Sequence, residues 1–188
     1  MENSKQKGFT LIELLVAISI TVILTTLFLV NYRGQASKNA INSSTAQIIS
    51  DLHKLQSFSL ASHDISAGVP STRYTITFAN VAASYSLVGY NNAIPAAPTT
   101  LSTSKLATGV TIQYVQVTKT NATIVNPASV TVAFKNPFGK VVTNYAGSTT
   151  DEVNDVTQIR IISADATVCS IISVNGITGN IVFVPGCT

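Results

Sequence analysis

Residues 9–30 read FTLIELLVAISITVILTTLFLV, a run of twenty-two residues in which Glu13 is the one formal charge. As a helix rising ~1.5 Å per residue it covers about 33 Å, enough for a bilayer hydrocarbon core of about 30 Å. A carboxylate in the outer turns of such a helix costs on the order of a few kcal/mol, so Glu13 calls for a partner. Lys5 and Lys7 precede the run, which predicts a cytoplasmic N-terminus and export of the chain beyond the helix. Asn31, Tyr32 and Arg33 form a polar and aromatic border after it. An ordinary signal peptide has an apolar stretch of about 7–15 residues that ends in a small-residue cleavage site. Here Gly8 lies before the run, and no Ala-x-Ala directly follows the run. A plain signal anchor explains the length but gives no reason for Glu13.

The segment KGFTLIELLVAISI, Lys7 to Ile20, combines a short basic leader, a Gly, a Phe and an acid at the fifth place after the Gly. It resembles the N-terminal signal of type IV prepilins and type II secretion pseudopilins. The resemblance implies that a membrane aspartyl peptidase cuts between Gly8 and Phe9 and methylates the new Phe9 amine. It also implies that Glu13 serves filament assembly. Cleavage creates a cation at the membrane end of the helix, and a neighbour's Glu13 can pair with it. In a low-dielectric bundle that pairing is strong once both charges are desolvated, and it sets register as a buried polar group does in a coiled coil. Many major pilins carry a Pro within this helix, whereas residues 9–33 contain none.

Beyond the membrane the helical period continues. Ile41, Ile48, Leu52, Leu55 and Phe58 form a stripe on a helix expected to reach about Ala61. Ser44, Thr45 and Ser59 interrupt it, so a sheet is a better partner than a coiled-coil seam. His63-Asp64 and Gly68 are expected to end the helix. The period then changes to two. Tyr74, Ile76 and Phe78 predict a strand, and Tyr85 and Leu87 its hairpin partner. Residues 91–109 read as a long Pro/Ser/Thr/Ala loop, and 110–118 as a strand. Val130, Val132 and Phe134 lead through the turn Asn136-Pro137-Phe138-Gly139 into Val141-Val142. Asp151 to Asp155 read as a solvated acidic loop. Strands are expected at 156–163, 168–174 and 180–184, with Asn175-Gly176 starting the last turn.

If Asn175 pairs near Asn180, Cys169 falls opposite residues 186–187 and within reach of Cys187. Export permits a disulfide there, worth roughly 3 kcal/mol by loop closure. A weaker resemblance, to the H-type minor pseudopilins, rests on residues 134–139 (FKNPFG), 158–161 (QIRI) and 173–176 (SVNG).

These readings predict an α+β chain of the type IV pilin-like kind, a long helix packed on an antiparallel sheet. Its segments would be a leader (1–8), a transmembrane and filament-core helix (9–33), an amphipathic half-helix (34–62) and an exported β-rich domain (63–188). The expected function is that of a structural subunit, pilin or minor pilin or pseudopilin, assembled through the apolar helix. Its partners would be other subunits, the prepilin peptidase and an inner-membrane assembly platform. It would wait in the cytoplasmic membrane and then move to a pilus or pseudopilus. The rivals are a type II secretion pseudopilin, a DNA-uptake minor pilin, and a signal-anchored adhesin or hydrolase.

No catalytic residue, metal or cofactor is expected. His53 and His63 stand ten residues apart, and no Gly-x-Ser-x-Gly occurs. Asp151, Glu152 and Asp155 lack the spacing of a calcium loop. Without residues 1–8 the chain keeps nine basic and seven acidic residues. With so small a net charge, and with basic residues scattered along the sequence, nucleic acid is not an expected partner.

Overall fold

The computed structural model describes residues 9–66, 68–91, 98–136, 138–145 and 155–186, with the side chains of residues 29–33 and 66 set aside. The leader with Gly8, Pro137, Asp151, Glu152 and Cys187 lie outside the described residues. The fold is α+β, one N-terminal helix followed by antiparallel strands. The chain divides into two compact units, residues 1–36 and 37–188. Helix residues from Ser37 onward thus belong to the same unit as the strands.

Helix α1 runs Leu11–Leu60. Within its apolar part, the hydroxyls of Ser19, Thr21, Thr25 and Thr26 donate to carbonyls four residues earlier, at 2.6–2.8 Å. Such back-bonding satisfies hydroxyls where water is absent. The helix ends through Ser62, whose φ is +48°, with the His63 N–H donating to the Phe58 carbonyl at 3.0 Å. This is a Schellman-type stop, and the His63 ring stacks on Phe58 at 4.6 Å. Ser62 takes the position usually given to Gly, which is why the stop precedes the His63-Asp64 and Gly68 signals.

In the second unit Ile41, Ile48, Leu52 and Leu55 are buried, as the stripe requires. Ser44, Thr45 and Ser59 are buried beside them rather than interrupting the packing. Thr45 donates to the Ile41 carbonyl at 2.8 Å and Ser59 to the Gln56 carbonyl at 3.0 Å. Ser44 accepts the Ala107 N–H at 3.0 Å. Small satisfied hydroxyls let the backbone come close without leaving buried polar groups unpaired.

The strands are β1 (Asp64–Ser66), β2 (Val69–Ala79), β3 (Ser84–Asn91), β4 (Pro98–Lys105), β5 (Val110–Thr118), β6 (Ile124–Val125), β7 (Ser129–Lys135), β8 (Lys140–Tyr145), β9 (Val156–Ser163), β10 (Cys169–Asn175) and β11 (Ile181–Pro185). They form two sheets, not the single one expected. One has the order β4-β3-β2-β7-β8 with β1 on β2, and the other β11-β10-β9-β5-β6. The hairpins β2–β3, β7–β8 and β10–β11 form where alternation and turn residues place them. In the last, Asn175 Oδ1 accepts the N–H groups of Ile177 and Thr178 at 2.9 and 3.0 Å.

Two further expectations are corrected. Part of the supposed 91–109 loop is β4, paired along β3. It begins at Pro98, which an edge strand tolerates, and exposes so much of itself that no apolar alternation marks it. Asp155, read as solvated, is buried at 2% exposure, and its carbonyl accepts the Gly176 N–H at 2.8 Å.

The sheets are tied at the β2–β3 turn. Asn80 Oδ1 accepts the Val115 N–H at 2.8 Å, and its amide donates to the Pro127 carbonyl at 3.1 Å. The Val81 N–H donates to the Ile112 carbonyl at 2.7 Å. A buried hydroxyl pair, Thr143 with Thr157 at 2.9 Å, joins β8 to β9.

Another polar link joins the helix to the first sheet. Asp51 Oδ2 accepts the Tyr85 hydroxyl at 2.7 Å and the Ser104 hydroxyl at 2.9 Å. Burial, then the bond and charge of Asp51, push the Tyr85 hydroxyl well above its ordinary pKa. The fold therefore favours protonated tyrosine. That stability is fully present below the unfolded value of about 10 and is lost as pH rises through the raised folded value. Melting curves above about pH 10 should show a steeper loss for the wild type than for Tyr85→Phe. Parallel curves would contradict this role.

Candidate functional site

Among the described side chains of residues 9–28, Glu13 is the one that carries a formal charge. Phe9 is 87% exposed, and the large side chains from Leu11 to Phe28 stand bare. Each such side chain left in water forgoes roughly 1.5–3 kcal/mol. By length and composition, Leu11–Phe28 is a candidate membrane span, with none of it buried within the chain.

Thr10 and Glu13 bracket the first turn. The Thr10 N–H and hydroxyl both donate to Glu13 Oε2 at 3.0 Å, and the Glu13 N–H donates to Thr10 Oγ1 at 3.3 Å. The Leu14 N–H donates to the Thr10 carbonyl at 3.2 Å. Thr10 is thus the N-cap and Glu13 the third helical residue of a capping box. Two orphan donors of the helix start are satisfied reciprocally, and the carboxylate sits at the positive end of the helix dipole. Among the described residues no further donor holds Glu13 Oε1.

A carboxylate so oriented keeps an oxygen for an external cation. The sequence reading singled out Phe9 and Glu13 but missed Thr10. The readable signal was Thr-x-x-Glu before an apolar run. Gly8, on the other side of the expected cut, is outside the described residues.

Residues 3–29 match the prokaryotic N-terminal methylation motif. The chain carries a prepilin signal of the type IV pilin and pseudopilin kind. The match covers the signal and the apolar stretch Leu11–Phe28 within it, and the two together fit an inner-membrane-anchored precursor. No curated protein and no solved structure matches the chain. Within the signal, Phe9 is the first residue after the expected cut, and Thr10 and Glu13 hold the first turn.

The other candidates lie in the second unit. Cys169 opens β10 at 2% exposure, and the Gly186 N–H donates to its carbonyl at 3.2 Å. Cys169 is not a free thiol, while Cys187 falls outside the described residues. His53 and His63 are both exposed, one on the helix and one just past its end. Asp165 accepts the hydroxyl of Ser163, the N–H of Thr167 at 3.2 Å and the hydroxyl of Ser37 at 2.9 Å. These bonds, Ser163 foremost, hold its carboxyl well below the usual range. Among the described residues no three His, Cys, Asp or Glu side chains gather as metal ligands.

Proposed function

We propose that this protein is a structural subunit, pilin or minor pilin or pseudopilin, of a type IV filament system. The observation that supports this most is the coincidence of the methylation motif with an apolar helical stretch, Leu11–Phe28, whose described side chains are all exposed. In this reading prepilin peptidase removes residues 1–8 and methylates the Phe9 amine. Sister subunits then bury the helix, and an inner-membrane platform carries the assembly. Residues 9–33 act as membrane anchor and filament core. Residues 34–62 form the amphipathic half of a pilin-like fold, and residues 63–188 its exported β-rich domain. The chain performs no catalysis and needs no cofactor. Cys169 and Cys187 close a disulfide across the end of the final hairpin, consistent with Gly186 lying opposite Cys169.

Intact mass spectrometry of the chain purified from cells tests processing and pairing together. The expected mass begins at Phe9, includes one added methyl group, and is two hydrogens lighter than the reduced chain. Gly8→Arg should leave the leader in place. A working protein that retains Met1, or normal processing of Gly8→Arg, would overturn the assignment.

A further inference from the structure

The basic residues look scattered in the sequence, but the first sheet gathers three of them. Arg73 on β2 is the direct cross-strand partner of Lys135 on β7, and Lys135 of Lys140 on β8. On its other side Arg73 pairs with Tyr90 of β3. Directly paired residues share a face of the sheet, so these four side chains form one row. With strands about 4.8 Å apart, the three cations span about 10 Å. Strands β2, β3, β4, β7 and β8 contain no Asp or Glu.

Like charges directly opposite one another weaken strand pairing. The row concentrates positive charge on this face, which an oxyanion complements. The rest of the face suits such a ligand. A cavity of about 220 Å³ is lined by Arg73, Thr75, Tyr90, Thr131, Ala133 and Asn144. The Arg73 guanidinium lies 4.2 Å from the centroid of the Tyr90 ring. A guanidinium held over a ring by cation–π attraction can still offer N–H groups for a bidentate bond to an oxyanion. The ring thereby orients the group before any ligand arrives.

We propose that this sheet face binds a linear polyphosphate chain, laid across the strands from Tyr90 to Lys140. One oxyanion sits at the Arg73 edge of the cavity, and the next groups meet Lys135 and Lys140. The spread of the cations favours a chain of anions over a single ion. This inference does not depend on the filament reading, because every residue in it belongs to the second unit.

The test uses the full-length chain in neutral detergent micelles, with inorganic polyphosphate and inorganic phosphate as probes. Polyphosphate should bind at low salt, with log affinity falling linearly against log salt. The double variant Lys135→Gln/Lys140→Gln should reduce that slope by roughly one unit per cation removed. Lys38→Gln/Lys54→Gln, which removes two exposed cations of α1, should leave the slope unchanged. Arg73→Lys keeps the charge but loses the planar fork, and should weaken binding severalfold at unchanged slope. No binding at low salt, or equal loss from both double variants, would overturn the site. Inorganic phosphate displacing polyphosphate at equal total phosphate would overturn the chain-spanning mode.

Discussion

Glu13→Val should be cut after Gly8 as the wild type is, yet fail to enter filaments. Two roles of the side chain are lost at once, and their sizes differ. As the acidic half of a capping box with Thr10, Glu13 satisfies donors of the first turn only, a small local contribution. That is too little to unwind a long apolar helix held in lipid. As the partner of a neighbour's terminal cation in a low-dielectric bundle, its removal leaves a desolvated charge unpaired, at a cost of about 3–5 kcal/mol. Repeated at every subunit, that cost stops growth.

Glu13→Gln separates the two roles, because Gln also completes a capping box but brings no charge. It should assemble as poorly as Glu13→Val. The readout is the sheared filament fraction against the membrane fraction on immunoblots. If Glu13→Gln polymerises normally, the cap and not the charge is what matters, and the register mechanism is wrong.

Leu52→Ala should destabilise the second unit by about 2–5 kcal/mol, the range for a buried leucine whose cavity cannot fully collapse. For a domain of this size that lowers Tm by roughly 10 °C. Leu52 has 0% exposure and belongs to the core cluster with Ile48, Leu55, Tyr74 and Phe78. Leu60, at the end of the same helix, is 59% exposed. Leu60→Ala should therefore change stability by no more than about 0.5 kcal/mol. Thermal melts of both variants in detergent give the comparison. Similar Tm values for the two would mean that the helical stripe is not what anchors α1 to the strands.

The strongly patterned elements were legible because their signals are local. The apolar run, the Gly-Phe junction and Glu13 need no tertiary contact to be read. Nor do the period-two strands around Tyr74, Val130 and Ile159, or the turn at Asn175. Where a side chain's environment depended on distant strands, reading failed. β4 carries Thr and Ser on both faces because it is an edge, so alternation could not reveal it. Asp155 looks like a loop acid until β9 and the β10–β11 turn close around it. Ser44, Thr45 and Ser59 look like interruptions because hydroxyls are polar, yet each finds a bond that allows burial.

The primary structure alone specified a membrane-length helix with one acid near its start, an antiparallel β region behind it, and the residues of a processing signal. Hydrophobic period and residue chemistry act over a few neighbours, and so survive without the fold. Tertiary structure alone decided that the strands divide into two sheets joined through Asn80 and the Thr143–Thr157 pair. It also set Arg73, Lys135 and Lys140 side by side. Strand order and register arise from pairing across long stretches of chain, and no local pattern encodes which distant residues end up opposite one another.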